Sequence, residues 1–251
     1  MKKHLLLGAS FVALAAATPA YAAPPVPPAI FSWTGGYVGV NLGYSWGSAK
    51  ITYTDPRFFP PSSFSGNAHL DGIIGGGQIG YNWQVGTNWV WGLEADIQDA
   101  AEKGSRSYAT DCEGPSDTRC VLNQSAKILW FGTVRARGGV LVNPTLWLYA
   151  TGGLAYGGVG ATGWVADGGC TGCSWSYSGS STNAGWTVGA GVQGIVPGTD
   201  NLWTWKAEYL YLDLGSISGT GHDPIPGGTT YFWSTKITDN IFRIGFNRQF
   251  P

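Results

Sequence analysis

From Thr34 onward, hydrophobic and polar positions alternate in eight segments. In Thr34–Trp46, Val38, Val40, Leu42, Tyr44 and Trp46 occupy the even positions, with Gly39, Asn41, Gly43 and Ser45 between them. A period of two is that of a strand with one apolar face and one small or polar face. Leu70–Gln84 sets Ile73, Ile79, Tyr81 and Trp83 against Gln78, Asn82 and Gln84. Trp89–Ala100 sets Trp89, Trp91, Leu93, Ala95 and Ile97 against Glu94, Asp96 and Gln98. Ser125–Val140 sets Ile128, Trp130, Val134, Ala136 and Val140 against Thr133, Arg135 and Arg137. Leu146–Gly160 alternates more weakly, Leu148, Ala150, Leu154 and Tyr156 facing away from Trp147, Tyr149 and Thr151. Asn183–Val196, Leu202–Leu214 and Ser234–Phe250 complete the set, the last carrying Phe242, Ile244, Phe246 and Phe250 on one face.

The connections alternate as well. Gly86-Thr87-Asn88, Asn143-Pro144-Thr145 and Pro197–Asn201 are tight-turn sequences. The others, Gly47–His69, Ala101–Gln124, Ala161–Thr182 and Gly215–Trp233, read as long loops. Short turns at one end and long loops at the other predict an all-β fold, an eight-stranded antiparallel up-and-down transmembrane β-barrel. Each segment suffices for a tilted strand to cross a bilayer. Closure follows because an open sheet edge in lipid leaves N–H and C=O groups without partners. A soluble sandwich or lipocalin-like barrel would turn the same apolar residues inward. It would also need a charged exterior, which strands 1, 2, 5 and 6 do not supply.

Composition agrees. Only 12% of residues are charged, against about 25% in soluble domains. Glycine supplies 40 of 251 residues and tryptophan 13, and the net charge is −1. That charge balance argues against nucleic-acid binding. Residues 1–22 read as an export signal: Lys2 and Lys3, the apolar run Leu5–Ala17, then Ala20-Tyr21-Ala22 for cleavage. Residues 23–33 read as a Pro-rich lead-in outside any packed core, and 34–251 as the barrel domain. No other run is long and apolar enough for a spanning helix.

With apolar residues facing lipid, Glu94, Asp96, Arg135, Arg137, Lys206, Glu208 and Arg243 face the lumen and sum to +1. Side chains fill an eight-stranded barrel. Neighbouring strands suggest pairing of Glu94 and Asp96 with Arg135 and Arg137, and Lys206 and Glu208 on the seventh segment lie beside Arg243 on the eighth. Inward Gly39, Gly43, Gly80, Gly189 and Gly191 leave room for these long groups. The preferred reading is a lumen closed by a charged network; the alternative is a small passive diffusion channel.

Other motifs carry less. Gly75-x-Gly77-x-x-Gly80 and Gly189-x-Gly191-x-x-Gly194 match a dinucleotide fingerprint but open no helix. Cys112, Cys120, Cys170 and Cys173 suggest two disulfides, local pairing of Cys112 with Cys120 and Cys170 with Cys173 being favoured among three connectivities. His69 and His222 lack a neighbouring nucleophile, and Asp167, Asp213, Asp223 and Asp239 read as scattered loop-side carboxylates, which leave a loop cation site open but match no calcium motif. No acid–base constellation emerges, so neither an enzyme nor a cofactor is expected.

Several stretches also resemble a known family. These are Phe31-Ser-Trp-Thr-Gly-Gly-Tyr-Val-Gly, Gly76-Gly-Gln-Ile-Gly-Tyr-Asn-Trp-Gln, Trp130-Phe-Gly-Thr-Val-Arg-Ala-Arg and Lys206-Ala-Glu-Tyr-Leu-Tyr-Leu-Asp-Leu-Gly. They are similar to the alphaproteobacterial outer-membrane β-barrel family, also called outer membrane immunogenic or porin-family proteins, with an OmpA-like barrel. The resemblance implies outer-membrane residence, exposed loops, and a role in envelope integrity and surface contact. It also implies a C-terminal strand, carrying Phe246 and Phe250, that is read by the barrel-assembly machinery, although Pro251 follows the last Phe. The implied partners are outer-membrane lipid, that machinery, and host or environmental ligands at the loops, around a monomer.

Overall fold

A computed structural model describes residues 31–55, 62–112, 118–167, 174–222 and 230–250. They form β1 (Gly35–Asp55), β2 (Ser62–Val85), β3 (Trp89–Cys112), β4 (Thr118–Asn143), β5 (Leu146–Asp167), β6 (Ser174–Ile195), β7 (Trp203–His222) and β8 (Thr230–Phe250). Each strand pairs with its sequence neighbours, and β8 closes antiparallel on β1, so the sheet is a closed barrel in chain order. At the short-turn end Gly86 and Gly198 adopt φ of +64° and +79°, which glycine allows without penalty. Asn143 Oδ1 accepts hydrogen bonds from the Thr145 amide (2.9 Å) and hydroxyl (2.8 Å), fixing the middle turn.

The strands are much longer than the alternating segments. They run to 20–26 residues, where 9–11 cross a bilayer. The four stretches read as long loops are therefore mostly strand. The cause is a reversal of the pleat's polarity part-way along. Below it, Val40, Leu42 and Leu154 point outward, 64%, 65% and 69% exposed, while polar groups point inward. Above it, β1 turns Lys50 outward and buries Ala49 and Ile51. On β8, Lys236 is exposed while Trp233, Ile237 and Ile241 are buried. The upper barrel thus has an apolar core: Leu70, Ile74, Ile128, Phe131, Leu210, Leu212 and Trp233 belong to one cluster.

Ile128 corrects its assignment to the outer face. The β4–β5 register slips between Ile128 and Trp130. The slip turns Ile128 inward while Val134 stays outward, as an irregular residue in a ladder does.

Aromatic side chains bracket the apolar belt. Trp46 packs against Tyr209 and Trp186 against Tyr211 on the upper side (centroids 6.3 and 5.4 Å). Tyr81 packs against Trp83 and Trp89 against Trp91 near the short turns (4.8 and 6.4 Å). Such rings suit a membrane's two interfaces.

The compact unit begins at Phe31, three residues before the expected boundary, because Trp33 is fully buried. The export signal and most of the lead-in lie outside the described residues.

Candidate functional site: the barrel lumen

Alternation along β3, β4, β7 and β8 aims all seven expected charges into one space. Their side chains have no exposed area. Glu94 and Glu208 are the hubs. Glu94 accepts from Arg135 (2.5 Å), Arg137 (3.1 Å) and Lys206 (2.8 Å). Glu208 accepts from Arg135 (3.0 Å) and Arg243 (2.7 Å). Asp96 Oδ2 accepts from Arg135 and Arg243, each at 2.9 Å, and from Thr133 at 2.8 Å. The neighbouring-strand pairs follow the sequence pattern. Lys206–Glu94 and Arg243–Asp96 cross the lumen, and strand adjacency alone does not reveal them.

The fourth cation, Arg137, is held differently. Its guanidinium carbon lies 4.1 Å from the Tyr149 ring centroid and 4.6 Å from that of Trp147. It donates to Tyr37 Oη (2.7 Å) and Gln193 Oε1 (2.6 Å). Aromatic faces attract a cation through the ring quadrupole, which accommodates the excess positive charge. Glycines make the reach possible: a Cβ at Gly80 would collide with Tyr37, and one at Gly191 with Tyr149.

Trp33 belongs to the site although alternation does not reach it. Its amide donates to Gln84 Oε1 (3.1 Å) and its indole N–H to the Pro144 carbonyl (3.2 Å). Phe31 meets it edge-on at 5.0 Å, and Trp147 lies beneath at 5.9 Å. An aromatic stack thus runs from the N-terminal segment to Arg137 at the short-turn end. The available signal was Val90, Trp147 and Tyr149: three apolar groups on lumen-facing positions that need a covering partner.

Other candidates fall elsewhere. His69 is exposed. Asp213, read as a loop carboxylate, sits in β7, where its Oδ2 is 3.1 Å from Lys236; that hydrogen bond holds the Lys236 ammonium above its ordinary pKa. Asp239, also read as a loop group, is buried on β8. Asp167 ends β5, and Asp223 lies outside the described residues. Cys112 and Cys120 sit on paired strands β3 and β4, but their side chains, like all of Cys170 and Cys173, are outside the described residues, as are the expected disulfides. Phe246 and Phe250 point outward, about half exposed.

A family profile described as "Outer membrane protein beta-barrel domain" matches residues 8–250. The chain belongs to this family. It is 36% identical over 223 residues to the 31 kDa outer-membrane immunogenic protein of Brucella melitensis, covering 88% of this chain and 85% of the relative. It is 27% identical over 232 residues to the 25 kDa outer-membrane immunogenic protein of the same organism, covering 90% and 86%. Among solved structures it is similar to the outer membrane protein OprG of Pseudomonas aeruginosa, with TM-score 0.43, 12% identity, and 86% and 97% of the two chains covered. The protein is a β-barrel of the Gram-negative outer membrane, and its apolar belt faces lipid.

Proposed function

We propose that this protein is a non-enzymatic, monomeric barrel that lends structure to the envelope and presents a surface beyond it, its lumen sealed against solute flow. One observation carries the reading: seven charged side chains meet inside the barrel with no exposed area. A conducting pore keeps its charges hydrated, whereas these are consumed by one another. The Trp33 stack below and the apolar cluster above add two further layers.

The strand extensions supply the presenting surface. Their outward positions carry Ser105, Ser107, Thr162, Ser176 and Ser178, a hydroxyl-rich wall suited to water. The Brucella relatives are named for their immunogenicity, which fits display of the same region here. Phe246 and Phe250 fit an assembly signal on the closing strand.

Planar-bilayer recording tests the seal. Purified monomer is expected to give no steady conductance. Stable unit channels from the monomer would establish the diffusion-channel reading instead.

A further inference from the structure

Where the pleat reverses polarity, two carboxylates are buried outside the charge network. Glu102 on β3 and Asp239 on β8 are both fully buried. They lie within electrostatic reach of each other and of the Ser45 hydroxyl. Both Glu102 oxygens and Asp239 Oδ2 lack a hydrogen-bond partner of ordinary geometry, their nearest polar company being each other and Ser45; Asp239 Oδ1 accepts from the Asn240 amide at 2.9 Å.

The fold clears space for them. Gly47 faces Asp239 across the β1–β8 ladder, and a Cβ there would sit 2.7 Å from Asp239 Oδ1. Gly72 pairs with Ser45, and a Cβ there would sit 2.9 Å from the Glu102 backbone. Ser45 is a second sign. Its hydroxyl is fully buried and turned toward both carboxyls, and it makes no hydrogen bond of ordinary geometry to any other group.

Among the described residues no cation forms an ion pair with either carboxyl. Arg243, two inward positions deeper on β8, is engaged by Asp96 and Glu208. Lys236 is outward and bonded to Asp213. Asp71 is outward, held by Tyr44 at 2.7 Å, and adds negative charge. Two buried carboxylates without a cation are costly.

We propose that Glu102, Asp239 and Ser45 form a binding site for one hard divalent cation of the Ca²⁺ type. Four carboxylate oxygens and a hydroxyl are the donors such an ion selects, with water completing its shell. The ion ties β1, β3 and β8 together just above the lipid belt. With only two acidic ligands, affinity falls in the extracellular range, Kd about 10⁻⁴–10⁻³ M.

The test uses the full barrel, folded in detergent after treatment with chelator. Equilibrium dialysis with Ca²⁺ should find one ion per wild-type chain, absent from Glu102→Gln/Asp239→Asn. At 1 mM Ca²⁺ the wild-type unfolding midpoint, followed by heat-modifiable gel migration, should rise by about 1–6 °C, and that of the double variant should not move. The amides keep the shape and remove the charge, so the variant folds without the ion. If wild type binds no ion, the two groups instead stay protonated and the site does not exist. Equal binding by both proteins would place the ion elsewhere and overturn the assignment.

Discussion

Glu94 shows how one residue can organise the molecule. It is reached by side chains from β1, β4, β7 and β8, with Tyr37 at 2.7 Å beside four cations, of which Arg243 is the most distant at 3.6 Å. Its burial is tolerable only because those partners surround it. Glu94→Leu would leave four cations facing two network carboxylates, and breaking a buried pair from one side costs about 3–5 kcal/mol. A clear drop in the unfolding midpoint in detergent is therefore expected. An unchanged midpoint would mean that Arg135 and Lys206 do not depend on it. The position of this residue was readable from alternation alone. Its bond to Lys206, 112 positions away, was not, because alternation fixes a face and says nothing about which groups meet across a cavity.

At the scale of the element, the strands carry two opposite amphipathic codes. On β8 the buried apolar set runs through odd positions up to Ile241, and the lipid-facing set starts at Phe242 on even ones. The same slip of phase separates Ile73, exposed, from Ile74, buried. A single-period reading takes the slip as the end of a strand. Ser- and Gly-rich extensions strengthen that impression, which is why four loops were expected where strand continues. The reversal has a physical reason: outside the belt the exterior solvent is water, so the apolar face must turn inward. Arginine scanning checks this. Val188→Arg, within the belt, should cost about 2–4 kcal/mol. Thr52→Arg, outward on the extension, should stay within about 0.5 kcal/mol of wild type. Equal costs at the two sites would remove the distinction.

At the scale of the whole molecule, the barrel is one sheet in two solvents. The lipid-embedded half packs charge and hydrogen bonds inside, and the emergent half packs hydrocarbon inside, with Glu102 and Asp239 at the junction. Fold class, strand number, order and the turn-bearing end all followed from the spacing of apolar residues and turns, since closure in lipid permits few alternatives. The Trp33 stack was not legible: it lies before the first alternating segment, and its partners come from distant strands. The outer surface changes from lipid-facing to water-facing where the apolar residues switch faces. Magnetization transfer in NMR of the detergent-solubilised barrel measures it directly. Amides of Val40, Leu42, Val188 and Ile244 should show contacts to detergent acyl protons, while those of Lys50, Thr52 and Lys236 should show contacts to water alone. Acyl contacts that continue through Thr52 and Lys236, or that are missing from Val40 and Ile244, would contradict it.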